Sequence, residues 1–212
     1  MDFIPEEIDQ YARDHSSEES PLLKKIHRDT HAEVLMSRMV SGHLQGRFLS
    51  MISNMIKPKA ILEIGTYTGY SAICLAEGLA KGGKLITIDI NEELETRVRG
   101  YFKEAGLEQE IDYRIGDAVE LIPDLKESFD LVFLDADKKN YQLYFDLVFD
   151  KMAVGGFLLA DNVLWSGKVI GAKEDKDTQA IKSFNDRITN DPRLERMLLP
   201  LRDGIMMVQK IS

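Results

Sequence analysis

One cysteine and one tryptophan are all that the 212 residues hold of either type, beside six prolines and four histidines. The lone Cys74 excludes an internal disulfide and a zinc site built on several thiolates. It fits a reducing compartment, and a cytoplasmic location is expected. His15, His27, His31 and His43 all lie near the N-terminus, and the spacing of His27 and His31 encloses Arg28-Asp29-Thr30. That is not the glutamate-bearing metalloprotease pattern. No apolar run approaches the roughly 18 residues of a membrane helix, so no membrane partner is expected. The opening MDFIPEEID is acidic, unlike a secretory or transit segment. Linkers rich in Pro, Gly or Ser, repeats and low-complexity tracts are missing too. One domain is therefore expected over 1–212, a helical segment (1–57) followed by a sheet domain (58–212). Basic residues are the minority, 27 against 36 acids, for a net charge of −9. That balance repels phosphate backbones and argues against nucleic acid as a partner. Lys24, Lys25, Arg28, Arg38 and Arg47 form a basic cluster that reads as an RNA patch or, more plainly, as a solvated helix face.

What is present is an ordinary globular composition, 44% hydrophobic, which excludes disorder as the main state. Pro5 with Glu6 and Glu7 suits a helix start, and Ile4, Ile8 and Tyr11 follow at helical spacing. Ser20 before Pro21 reads as the cap of a second helix with Leu22, Leu23, Ile26 and Val34 inward. A third helix, about 42–55, places Leu44, Phe48, Ile52 and Met55 on one face. From Lys59 onward, apolar runs at 60–64, 84–88, 111–115, 130–134 and 156–160 alternate with helical patterns at 70–80, 92–105, 118–125, 141–152 and 178–189. This predicts an α/β fold with a mostly parallel sheet covered on both faces. Strand-like runs at 194–201 and 205–211 flank Arg202-Asp203-Gly204, a hairpin signal, so the last pair should contain one antiparallel strand. Cys74 and the Phe145, Val148, Phe149 pattern read as core, the latter alternatively as a subunit contact. The polar stretch 167–178 reads as a mobile loop beside the site, placed where it could gate an acceptor.

Ligands of such sheets bind beyond the carboxyl ends of the strands. The first strand ends in Glu63-Ile64-Gly65-Thr66-Tyr67-Thr68-Gly69-Tyr70-Ser71. Its glycine spacing is not that of a pyrophosphate-binding turn, and Glu63 would suit a cation; an ordinary strand-to-helix turn is the plain alternative. Asp89 ends the second strand, where an acid can hold both ribose hydroxyls. Together these suit a cationic nucleoside without phosphates, a description that S-adenosylmethionine fits. Gly116-Asp117-Ala118 ends the third strand and suits an adenine edge or a plain helix cap. Asp135 ends the fourth strand, Asp161-Asn162 the fifth. Strands lie ~4.8 Å apart, so these oxygens can converge into a hard donor set for Mg²⁺, Mn²⁺ or Ca²⁺; a polar turn is the alternative for Asp161-Asn162. Lys138 can then take a proton from a cation-acidified hydroxyl, or be a solvated lysine, the reading preferred for Lys139.

The phrases LEIGTYTGYS, LDADKKNY, ADNVLWSGKV and LPLRDGI, within a stretch from about Met39 to the last residues, resemble the cation-dependent O-methyltransferases, which include catechol and caffeoyl-CoA O-methyltransferases. The bacterial small-molecule branch fits best. The resemblance implies a seven-stranded, Rossmann-like methyltransferase fold with N-terminal helices and a terminal hairpin. It implies metal ligands Asp135, Asp161 and Asn162, with Mg²⁺ the expected ion, and catalytic roles for Lys138 and Asp135. Met39, Ser41, Glu63, Gly65, Thr66, Ser71, Asp89, Asp117, Ala118 and Asp135 would hold S-adenosylmethionine. Trp165 and Ser166 would bound the pocket of a hydroxylated aromatic acceptor such as a catechol. A homodimer is implied as well. Animal catechol enzymes grip the second hydroxyl with an acid where this chain has Pro200, so the acceptor geometry differs. The alternatives are a hydroxylated uridine of transfer RNA as acceptor and a non-catalytic cofactor-binding module.

Overall fold

In the computed structural model, which describes residues 4–171 and 175–212, the alternating runs form a seven-stranded sheet. Helices α1 (Glu6–Asp14), α2 (Pro21–Glu33) and α3 (His43–Ile56) precede it. There follow β1 (Ala60–Ile64), α4 (Tyr70–Ala76), β2 (Lys84–Asp89), α5 (Glu95–Glu104), β3 (Ile111–Ile115), α6 (Ala118–Leu121), β4 (Phe129–Leu134), α7 (Tyr141–Phe149), β5 (Met152–Ala160), α8 (Lys176–Thr189), β6 (Leu194–Leu199) and β7 (Ile205–Lys210). The strand order is β3-β2-β1-β4-β5-β7-β6. The pairings among β1–β5 are parallel, and β7 runs antiparallel between β5 and β6. No helix among the described residues is long and apolar enough to cross a membrane.

Side chains of a strand alternate between faces, and two core layers result. Leu62 and Ile64 of β1 join Val132 and Leu134 of β4 beneath α7 and α8, with Phe145, Val148, Phe149 and Phe184. Ile61, Leu131 and Phe133 face the other layer with Leu49, Tyr70 and Cys74. The α7 aromatic pattern and Cys74 are therefore core. Glu63 shares the parity of Ile61 and is fully buried.

The N-terminal segment departs from its expected faces. Ser20 does cap α2, its Oγ accepting the Leu23 N–H at 3.2 Å. In α3, however, the buried face is Gln45, Gly46, Leu49, Ser50 and Ser53, while Met55 is 77% exposed. Small residues let α3 approach α4: a Cβ on Gly46 would stand 2.6 Å from the Tyr70 ring. Their hydroxyls are paired, Ser53 Oγ donating to the Leu75 carbonyl and Ser50 Oγ to Glu77, both at 2.6 Å. Helix α1 buries no residue, and Ile4, Ile8 and Tyr11 are exposed. Strand β5 starts earlier than the apolar run because Phe129 pairs with Met152 and Leu131 with Phe157, an irregularity that takes up the intervening residues. The stretch 167–178 is only partly a loop. A 3-10 turn, Trp165–Ile170, and the start of α8 occupy its two ends, while 172–174 and the expected gating motion lie outside the described residues.

Candidate active site

One row of backbone hydrogen bonds crosses the carboxyl ends of five strands. The N–H groups of Gly116, Gly65, Asp135 and Asp161 donate to the carbonyls of Asp89, Ile88, Ile64 and Leu134, each at 2.9 Å. Parallel pairing thus sets the turns after β3, β1, β4 and β5 beside the end of β2, and their side chains along one rim.

At the centre of that rim the chain must turn sharply. Gly65 has φ +104, and a Cβ there would lie 1.9 Å from the backbone oxygen of Asp135. Neither backbone can yield without breaking the row. Gly65→Ala is expected to cost on the order of 3 kcal/mol, lowering the thermal midpoint by about 6–12 °C. Differential scanning calorimetry checks this; an unchanged midpoint would refute the close approach.

One side of the rim holds Glu63, Thr66, Asp89 and Asp117. Asp89 accepts the Tyr67 N–H at 2.6 Å and the Asn91 N–H at 2.8 Å, tying the turns after β1 and β2 together. Thr87 donates to Glu63, leaving Thr66 to donate to Thr87. Burial pushes the Glu63 carboxyl up to about 8; the neighbouring Ser71 and Thr87 hydroxyls oppose this, and the charges of Asp135 and Asp89 add to it. Glu63 Oε1 is buried without a partner. A buried acceptor lacking a donor, under a neighbourhood of acids, fits the ammonium of a cationic ligand. Asp117 caps α6 by accepting the Val119 N–H at 2.8 Å, so the plain reading holds for that oxygen, and Ala118 is buried.

On the other side Lys138 Nζ donates to Asp135 Oδ1 at 3.0 Å and to the Tyr141 hydroxyl at 2.6 Å. The Tyr141 hydroxyl donates to the Asp161 carbonyl at 2.9 Å. The Lys138 side chain is only 9% exposed. Burial first, then the charge of Asp135, raises the Asp161 carboxyl above the usual carboxylate range, while Lys138, Gln45 and Arg202 pull it down. Asn162, Trp165 and Ser166 all have left-handed backbones, φ +60, +47 and +53. The loop is held by the β6–β7 turn: the Leu164 N–H donates to the Asp203 carbonyl at 2.9 Å, and Ser166 N–H to its carboxylate. Trp165 Nε1 is buried with no acceptor. Met39 is half exposed, and Ser41 is buried with its carbonyl bonded by Arg202.

The structure thus brings Asp135, Lys138, Asp161 and Asn162 together, with Glu63, Gly65, Thr66, Ser71 and Asp89 adjoining. Sequence reasoning missed Gln45, Tyr141, Arg202 and Asp203. Only Tyr141, at the end of LDADKKNY, and the Arg202-Asp203 pair before Gly204 left a trace. Among the described residues no three His, Cys, Asp or Glu cluster as a metal site, and the His27 and His31 rings are tilted neighbours, 4.3 Å between centroids.

Fold and rim define a class, the α/β methyltransferases whose sheet ends in an inserted antiparallel strand. The chain matches the O-methyltransferase family over residues 13–211. It is 35% identical over 187 residues to caffeoyl-CoA O-methyltransferase of Medicago sativa, covering 82% of this chain and 76% of the relative. It is 32% identical to catechol O-methyltransferase domain-containing protein 1 of Mus musculus, covering 95% and 79%. The crystal structure of the O-methyltransferase from Bacillus cereus in complex with SAH superposes with a TM-score of 0.88 at 31% identity, covering 96% and 97%. The chain belongs to the O-methyltransferase family and is an S-adenosylmethionine-dependent enzyme that methylates oxygen.

Proposed function

We propose that the enzyme is cation-dependent and methylates a small hydroxylated aromatic bearing vicinal oxygens, as a catechol does. The half-buried Asp135 beside the buried Asp161, with the Lys138 amine adjoining, carries this reading. Two carboxylates and the Asn162 amide oxygen are hard donors, and a cation among them would offset both the burial and the Asp135 charge that raise Asp161. The residues therefore fit a divalent cation such as Mg²⁺. When bound, that ion supplies Lewis acidity toward an acceptor hydroxyl. Asp135, Asp161 and Asn162 would hold the ion, and Lys138, acting as the neutral amine beside Tyr141, would accept the proton of the acceptor hydroxyl and become the ammonium. S-Adenosylmethionine supplies the methyl group, with Glu63 and Asp89 holding its charged and ribose ends. The protein contributes position and charge, with no covalent intermediate on the chain.

The RNA reading weakens at its patch. Lys24 pairs with Glu18 at 2.7 Å, Arg28 with Asp29 at 3.1 Å, Arg47 with Glu77 at 2.8 Å, and Lys25 pairs with Glu104. Methyl transfer from labelled S-adenosylmethionine to a catechol panel tests the proposal. Activity with Mg²⁺ should fall at least about 100-fold in EDTA and return with added metal. Transfer indifferent to EDTA would overturn cation dependence; cofactor binding without transfer to any catechol would overturn the acceptor class.

A further inference from the structure

Arg202 occupies a position that disfavours it. Its φ is +49, a left-handed backbone that glycine accepts freely and a side-chain-bearing residue resists. The guanidinium Nη1 nevertheless makes three contacts. It donates to the Val40 carbonyl at 3.1 Å, to the Ser41 carbonyl, and to Gln45 Oε1 at 2.7 Å. Gln45 is 1% exposed, on the face of α3 where periodicity predicts no contact residue. Its Nε2 donates in turn to Asp161 Oδ2 at 2.6 Å. The other carboxylate oxygen accepts the Asn162 N–H at 2.7 Å. A continuous chain therefore runs from the β6–β7 turn through the buried amide to Asp161.

The direction of that chain matters. A buried amide can present either its oxygen or its nitrogen to a neighbour. Only a donor on the Oε1 side fixes it, and Arg202 is that donor. With Arg202 in place the amide must offer N–H to Asp161. Without it, the amide is free to turn and set Oε1 against the carboxylate, which repels it and shifts the rotamer. We propose that Arg202 and Gln45 are positioning residues for Asp161, acting in series, so that the carboxylate is preset to receive the divalent cation. This rests on the cation reading above, and it assigns the strained turn a role at a site that it does not line.

The test is Mn²⁺ binding, read from the electron paramagnetic resonance of the free ion, on the full chain. Arg202→Gly is the informative variant, because the backbone relief that glycine brings there offsets part of the three lost hydrogen bonds, and the far-UV circular dichroism of the fold should be retained. Mn²⁺ affinity is expected to fall by about 10-fold, the usual scale for removing a group that orients a metal ligand. Gln45→Leu should lose a similar factor, and the double variant no more than the larger single loss, because the two act through one chain. Three results would overturn the proposal. Wild-type Mn²⁺ affinity in Arg202→Gly with the fold retained would remove the positioning role and leave the cation site standing. Losses that multiply in the double variant would refute action in series. No Mn²⁺ binding by the wild type would remove the cation reading itself, and this proposal with it.

Discussion

Lys138→Met is expected to lower turnover by about 10²–10⁴-fold, the range for losing a positioned general base, while SAH affinity stays within a few-fold. Methionine keeps much of the stem but takes Nζ away from Asp135 and from the Tyr141 hydroxyl, its two partners at 3.0 and 2.6 Å. Asp135 and Asp161 are then left as neighbouring acids without the ammonium. The ligand-free variant should therefore melt lower than the wild type, and Mg²⁺ should restore more of the difference than it adds to the wild type. Single-turnover methyl transfer together with melting curves in Mg²⁺ and EDTA distinguishes loss of the base from general damage. Turnover within three-fold of wild type would remove Lys138 from the chemistry.

Glu63→Gln is expected to do two opposite things. The Glu63 carboxyl is pushed from its ordinary 4.5 up to about 8 in the fold. Between those values the folded chain holds a proton that the unfolded chain has released. The contribution to stability is thus intact below about 4.5 and is lost as pH rises toward 8. Each tenfold difference in proton affinity between folded and unfolded chain is worth about 1.4 kcal/mol, so the loss reaches several kcal/mol. Glutamine carries no such penalty, so the ligand-free variant should melt higher at pH 8, with a flatter pH dependence. It offers an ammonium a neutral acceptor in place of a charged one, so cofactor affinity should drop at least about ten-fold. In the wild type SAH affinity should strengthen from pH 6 to 8 as Glu63 ionises; in the variant that slope should vanish. Calorimetric titration across this range decides it, and an equal slope in both proteins would exclude Glu63 as the ionising group.

The strands were legible because each is a short apolar run whose acid or glycine falls where the sheet ends. Glu63, Gly65, Asp89, Asp135 and Asp161 could be placed on one rim from spacing alone, since parallel pairing leaves little choice. The α3 face was not legible. Periodicity weights apolar side chains, yet this helix buries Gln45, Gly46, Ser50 and Ser53, whose value lies in small size and satisfied hydroxyls. The tie between Arg202 and Gln45 was invisible for another reason. It spans 157 residues and depends on an arginine holding a left-handed backbone at a turn. No local pattern marks such a contact. Asp203 was hidden likewise, read as half of a turn signal although it also secures Ser166.

The insertion of β7 between β5 and β6 has a consequence for how the molecule comes into being. During synthesis, β1 to β3, with Asp89 at the end of β2, leave the ribosome early and can pair among themselves. The outer edge of β5 stays open until residues 205–210 arrive, an unprotected edge of the kind that invites aggregation. Only then can Arg202 reach back 162 residues to Val40. Contacts of such long range form late and slowly. The nascent chain should therefore complete the β1–β3 end of the rim well before it can align Asp135 and Asp161, so that methyl transfer is switched on last, by the closing strand.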